Sequence, residues 1–105
     1  MITIEEFQKL DLKVAKILAV EKIEGSDKLL KLNIDLGEEK RQLVAGIAQF
    51  YEPEKLIGRE IVVIANLEPR VLRGIESQGM LLAADDNGPV LLIPDKEVTP
   101  GAKIR

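Results

Sequence analysis

Between Leu30 and Leu36 the chain alternates without a break: Leu30, Leu32, Ile34 and Leu36 are apolar, and Lys31, Asn33 and Asp35 between them are polar. A period of two puts the first set on one face of a strand and the second on the other. A strand with one apolar and one wetted face is the signature of an antiparallel sheet. Turn residues bracket it, Glu24-Gly25-Ser26-Asp27 before and Gly37-Glu38-Glu39 after. Arg41 to Ile47 continues the pattern, with Leu43, Ala45 and Ile47 facing in. These hairpin-linked strands need a core to face, and 105 residues suit a single domain over residues 1–105.

The flanking segments complete an all-β plan. Thr3 followed by Glu6 is a capping box, which predicts a short helix from Thr3 to Leu10 with Ile4, Phe7 and Leu10 on its inner face, plugging one end of the fold. Leu12 and Val14 share one phase, but Ala15, Ile17 and Ala19 take the other, and such a slip implies a bulge and a bent strand. Pro53 and Gly58 mark the start and end of one helical turn between the third and fourth strands. Glu60 to Leu67 and Met80 to Ala84 are apolar on both faces, and Asn87-Gly88 turns the chain into Pro89 to Ile93. The pattern predicts a five-stranded Greek-key barrel of the OB type, with a short N-terminal helix and one small helix in the middle. The doubly apolar strands need cover, from a second copy of the chain or else from the C-terminal VTPGAKIR or the opening helix.

Residue content narrows the function. With no histidine and no cysteine there is no imidazole base, no Cys or Ser-His nucleophile, and no His- or Cys-ligated zinc. Asp85-Asp86 reads as turn chemistry before Asn87-Gly88. Phosphate-cradling glycine motifs are also missing. The expectation is a binding protein without catalytic residues, metal or cofactor. No apolar run reaches the roughly 18 residues of a membrane span, and MITIEEFQKL lacks the charge pattern of a signal peptide, so a soluble cytoplasmic protein is expected.

The ligand is suggested by one polar segment between apolar runs, Asn66-Leu67-Glu68-Pro69-Arg70-Val71-Leu72-Arg73-Gly74-Ile75-Glu76-Ser77-Gln78-Gly79-Met80. An OB barrel binds on its second and third strands and adjoining loops, here carrying Lys28, Lys31, Asn33 and Arg41. Only 3% of residues are aromatic, too few for a base-stacking single-strand platform. Arginines, amides and hydroxyls suit a folded RNA read by phosphates, 2′-hydroxyls and shape. With a net charge of -3, the basic surface has to be a local patch.

Five motifs in order, DLKVAKI, GSDKL, RQLVAGI, YxPExLxG and ANLxPRxLRGIxSQGM, make the chain resemble the tRNA-binding appendage domain of methionyl-tRNA synthetases from Ile4 to Arg105. The resemblance implies an OB barrel, a homodimer through C-terminal and barrel-side strands, and tRNA as ligand, with a methionyl-tRNA synthetase catalytic part as a further partner. Its RNA-facing positions are Lys28, Lys31, Arg41, Asn66, Arg70, Arg73, Ser77, Gln78 and Met80. Glu68 and Val71 stand where many members carry a basic residue, so this patch is less positive. The plainer alternatives are lysines that only solvate a strand, a Met80 that fills core, and arginines paired to Glu68 or Glu76. A different function on the same fold is a dimeric export chaperone holding unfolded peptides on apolar surface.

Overall fold

The computed structural model describes residues 1–105. The capping box forms as expected: Thr3 Oγ1 accepts from the Glu6 N–H at 3.2 Å, the Thr3 N–H donates to Glu6 Oε1 at 3.1 Å, and helix α1 (Ile4–Phe7) follows. It does not plug the barrel. Ile4 is 63% exposed and Leu10 is also exposed, while Phe7 alone is half-buried against the C-terminal residues. A helix this short has too little apolar face to reach the core.

Strand β1 (Leu12–Lys22) is the hinge of the fold. Its first half pairs antiparallel with β4 (Glu60–Ile64), Leu12 opposite Ile64 and Lys16 opposite Glu60. Its second half pairs with β2 (Leu30–Asp35) along its other edge. The expected bulge is present, but at Leu18, between the Ile17 and Ala19 pairings, a few residues past the apolar phase change. The phase change itself lies where Val14 and Ala15 point to opposite faces and both are buried, and where residues 101–104 take the edge that β2 leaves vacant. The Val14 N–H donates to Ala102 O at 2.9 Å, and the Gly101 N–H donates to Val14 O at 2.7 Å.

Strand β2 continues into β3 (Lys40–Ala45) through the hairpin at Gly37, and α2 (Pro53–Leu56) then drops Leu56 into the core with Pro53 opening the helix. Beyond β4, the polar segment is a hairpin and not an open loop: β5 (Arg70–Leu72) and β6 (Ile75–Ser77) pair around Arg73-Gly74. The long apolar run after it divides into β7 (Met80–Leu81), which joins β4, and β8 (Ala83–Asp85), which pairs with β9 (Pro89–Leu91) across the expected Asn87-Gly88 turn. The main sheet runs β3-β2-β1-β4-β7. It curls into a nearly closed barrel around Ile17, Leu32, Ile34, Leu43, Leu56 and Ile61. Val90, Leu92 and Ile93 remain exposed, so the C-terminal segment covers β1 but not this last stretch.

Candidate nucleic-acid interface

The barrel closes between β3 and the β5–β6 hairpin, and side chains do much of the closing. The Gln78 N–H donates to Gln42 O at 2.9 Å, and the Gln42 N–H donates to Gln78 Oε1 at 3.1 Å. Gln42 Nε2 donates to Glu76 O at 2.8 Å. Ser77 Oγ accepts from the Val44 N–H and donates to Gly79 O, each at 3.0 Å, which leaves Ser77 buried with its hydroxyl fully used. Ser77 and Gln78 therefore hold the hairpin on the barrel. Ser77 offers nothing to a ligand.

Arg41 is likewise turned into the protein, while Asn66 stays at the surface with its amide spent on backbone groups. Arg41 pairs directly with buried Ile34, which places it on the core side of β3. Its Nη1 donates to the carbonyls of Ala65 and Gln78, and its Nη2 meets Glu39 Oε1 at 2.7 Å. This hydrogen bond, with the guanidinium charge, holds the Glu39 carboxyl below its ordinary pKa. The inward set already implied this: a strand with Leu43 and Ala45 facing in must also turn Arg41 in. Asn66 clasps the end of α1 to the end of β4, its Oδ1 accepting from the Asp11 N–H at 2.8 Å and its Nδ2 donating to Lys9 O at 2.7 Å.

The remaining cations face solvent. Arg70 begins the hairpin and Arg73 sits at its tip, and neither guanidinium is within salt-bridge distance of a carboxylate. Glu76 is occupied by Gln78 Nε2 at 3.0 Å, and Val71 shares its face with Glu76, away from the barrel. Three residues of strand separate the two arginines by about 10 Å, so they suit different phosphates. Arg73 has φ 52 and Gly74 φ 77, the pair of positive values that a type I′ hairpin demands. Asn and Gly ordinarily fill such positions, and an arginine there is strained.

The tip reaches the β1–β2 turn. A Cβ on Gly25 would sit 3.8 Å from Arg73 Nη1, so Arg73 adjoins the turn that carries Lys28. That turn is shaped by Ser26, whose Oγ accepts from the N–H groups of Lys28 and Leu29. Lys28 is exposed, and Lys31 is half-buried on the outer face of β2 opposite Glu21. Met80 is 41% exposed at the start of β7 and fills no core. Lys40 and Gln42, outside the RNA-facing positions that the resemblance implies, face outward on β3 opposite Asp35 and Asn33. The strand parity that turns Arg41 inward points to both of them.

A nearly closed five-stranded antiparallel barrel with two small helices defines an OB-like fold, here with a cationic hairpin at its rim. A family model described as "Putative tRNA binding domain" matches residues 12–103, and the chain belongs to this family. It is 61% identical to the methionine–tRNA ligase of Thermotoga maritima and 59% identical to that of Methanothrix thermoacetophila, over 98% and 100% of its own length. It spans only 16% of the length of each of these ligases. Among solved structures, a protein related to methionyl-tRNA synthetase from Pyrococcus horikoshii superposes with a TM-score of 0.93 at 39% identity, covering 100% of this chain and 98% of that one. The chaperone CsaA from Bacillus anthracis superposes with a TM-score of 0.91 at 33% identity, covering 100% of this chain and 99% of that one.

Proposed function

We propose that the chain is a non-catalytic tRNA-binding module of the methionine–tRNA ligase system, acting in the cytoplasm as a C-terminal domain or separate subunit and gripping folded tRNA through phosphate and shape. The observation that carries this reading is the pair of unengaged guanidiniums, Arg70 and Arg73, on a hairpin whose other polar groups are largely spent holding it in place. An arginine fork suits phosphate, and a braced hairpin presents it with little ordering cost. Lys28, Lys31 and Lys40 extend the patch along the barrel, with Gln78 and Met80 at its edge. Ser77, Arg41 and Asn66 position it. Few aromatics favour folded over unstructured RNA.

The module acts as a homodimer. Val90, Leu92 and Ile93 present an apolar strip at the C-terminal edge of the barrel, which a second copy would cover. The same strip, with the likeness to CsaA, favours the second reading of a peptide-holding chaperone. Filter binding of bulk tRNA across a salt series, beside a holdase assay on an unfolded protein, separates the two. tRNA binding that an unstructured oligonucleotide of equal length cannot displace supports the first reading. Holdase activity without tRNA binding overturns it.

A further inference from the structure

Beside the hairpin, β1, β2 and β3 frame a depression of about 290 Å³ lined by Leu18, Asn33, Lys40, Arg41, Gln42 and Gln78. No carboxylate lines it. Its apolar surface is Leu18, the residue the bulge leaves without a partner and 38% exposed. Asn33 and Gln42 stand directly opposite each other on β2 and β3, close enough for both side chains to touch one small planar ligand. Their amides are not equivalent. Gln42 Nε2 is held by Glu76 O at 2.8 Å, so Gln42 is fixed with its oxygen as the group left to accept. Asn33 makes no side-chain hydrogen bond within the chain and can turn either its donor or its acceptor outward.

We infer that this depression seats one unpaired nucleobase of the bound RNA and selects a base with an exocyclic amine beside a ring-nitrogen acceptor, adenine or cytosine. The inference rests on the tRNA-binding reading above and adds base selection to it. Leu18 packs against the face of the base. Gln42 Oε1 accepts from the exocyclic amine, and the Asn33 amide donates to the adjoining ring nitrogen, the pattern by which amides read adenine. Uracil presents a carbonyl where the amine should be, which leaves Gln42 Oε1 facing another acceptor. Lys40 supplies a charge for the neighbouring phosphate. A single seat of this kind needs no aromatic platform.

Interference mapping tests this directly. tRNA transcripts carrying scattered purine riboside in place of adenosine, or scattered 2-pyrimidinone riboside in place of cytidine, both lacking the exocyclic amine, are bound to the protein and the bound and free pools compared. One unpaired position should be depleted from the bound pool, and which analogue shows it tells adenine from cytosine. In Asn33→Ala, which loses no hydrogen bond of the fold but removes the donor to the ring nitrogen, the base should be held less firmly, so affinity should fall about tenfold and the depletion should weaken. The salt slope should stay unchanged, because no charge is removed. A complex with no depleted position, or an Asn33→Ala variant with the parent's tRNA affinity and undiminished depletion, overturns the base seat and leaves the tRNA reading intact. Absence of any complex overturns both.

Discussion

Gln42 and Gln78 are joined twice, by a backbone bond of 2.9 Å and by a side-chain bond of 3.1 Å that takes the place of the missing second ladder bond. This pair fastens the hairpin that carries Arg70 and Arg73 to the edge of β3. Gln78→Ala leaves the half-buried Gln42 N–H without an acceptor, which should cost about 1 to 3 kcal/mol in denaturant unfolding. Amide exchange should quicken at Ile75 and Ser77, and tRNA affinity should fall with its salt slope retained. Unchanged exchange in the hairpin would show that the seam is not what holds it.

Arg73 offers a sharper test because fold and function pull in opposite directions there. Its φ of 52 suits Asn far better than Arg. Arg73→Asn should therefore raise stability by about 0.5 to 1 kcal/mol, relieving part of the left-handed strain. It should also weaken tRNA binding and flatten the salt dependence by about one unit. Arg70→Ala should flatten it similarly with no change in melting temperature. Full tRNA affinity in both variants would remove the hairpin from the interface.

Arg41 is expected to behave as a brace. Arg41→Met leaves the carbonyls of Ala65 and Gln78 without their donor, and the stability loss should reach about 2 kcal/mol. The Glu39 carboxyl is held below its ordinary value of 4.5 mainly by its hydrogen bond to Arg41. A carboxylate with a lowered folded pKa contributes stability that is fully present above 4.5 and is lost as pH falls through the folded value. Denaturation midpoints followed from neutral into acid should therefore drop less steeply in Arg41→Met and in Glu39→Gln than in the parent. Parallel acid profiles would mean that the pair carries no pH-dependent stability.

The apolar strip predicts self-association. Leu92 has both backbone groups bonded, its N–H to Leu82 O and its carbonyl to the Val62 N–H, each at 3.2 Å, while its side chain stays exposed. Ile93 follows it and is 53% exposed. Sedimentation equilibrium at micromolar concentration should give a dimer for the parent and a monomer for Ile93→Glu, with the same circular dichroism in both. A monomeric parent would refute the dimer.

What the sequence determined by itself is whatever depends on near neighbours along the chain. The Thr3–Glu6 capping box, the Leu30–Leu36 alternation, the Pro53 helix start and the Asn87-Gly88 turn all appear where local chemistry puts them, because each is decided within a few residues. The apolar phase change in β1 was legible too, but the neighbour of that edge was not, since the segment bonded to Val14 is residues 101–104. Tertiary structure alone decided which motif residues stay free at the surface and which are spent on hydrogen bonds within the chain. Asn66 finds its donor and acceptor partners 55 and 57 positions away, Ser77 bonds 33 away, and Gln78 bonds 36 away. A motif marks the residues that a site needs. Only the closed barrel spends the hydrogen bonds of Ser77 and Arg41 internally and leaves Arg70 and Arg73 free, because a polar group covered by closure must find its partner inside the protein.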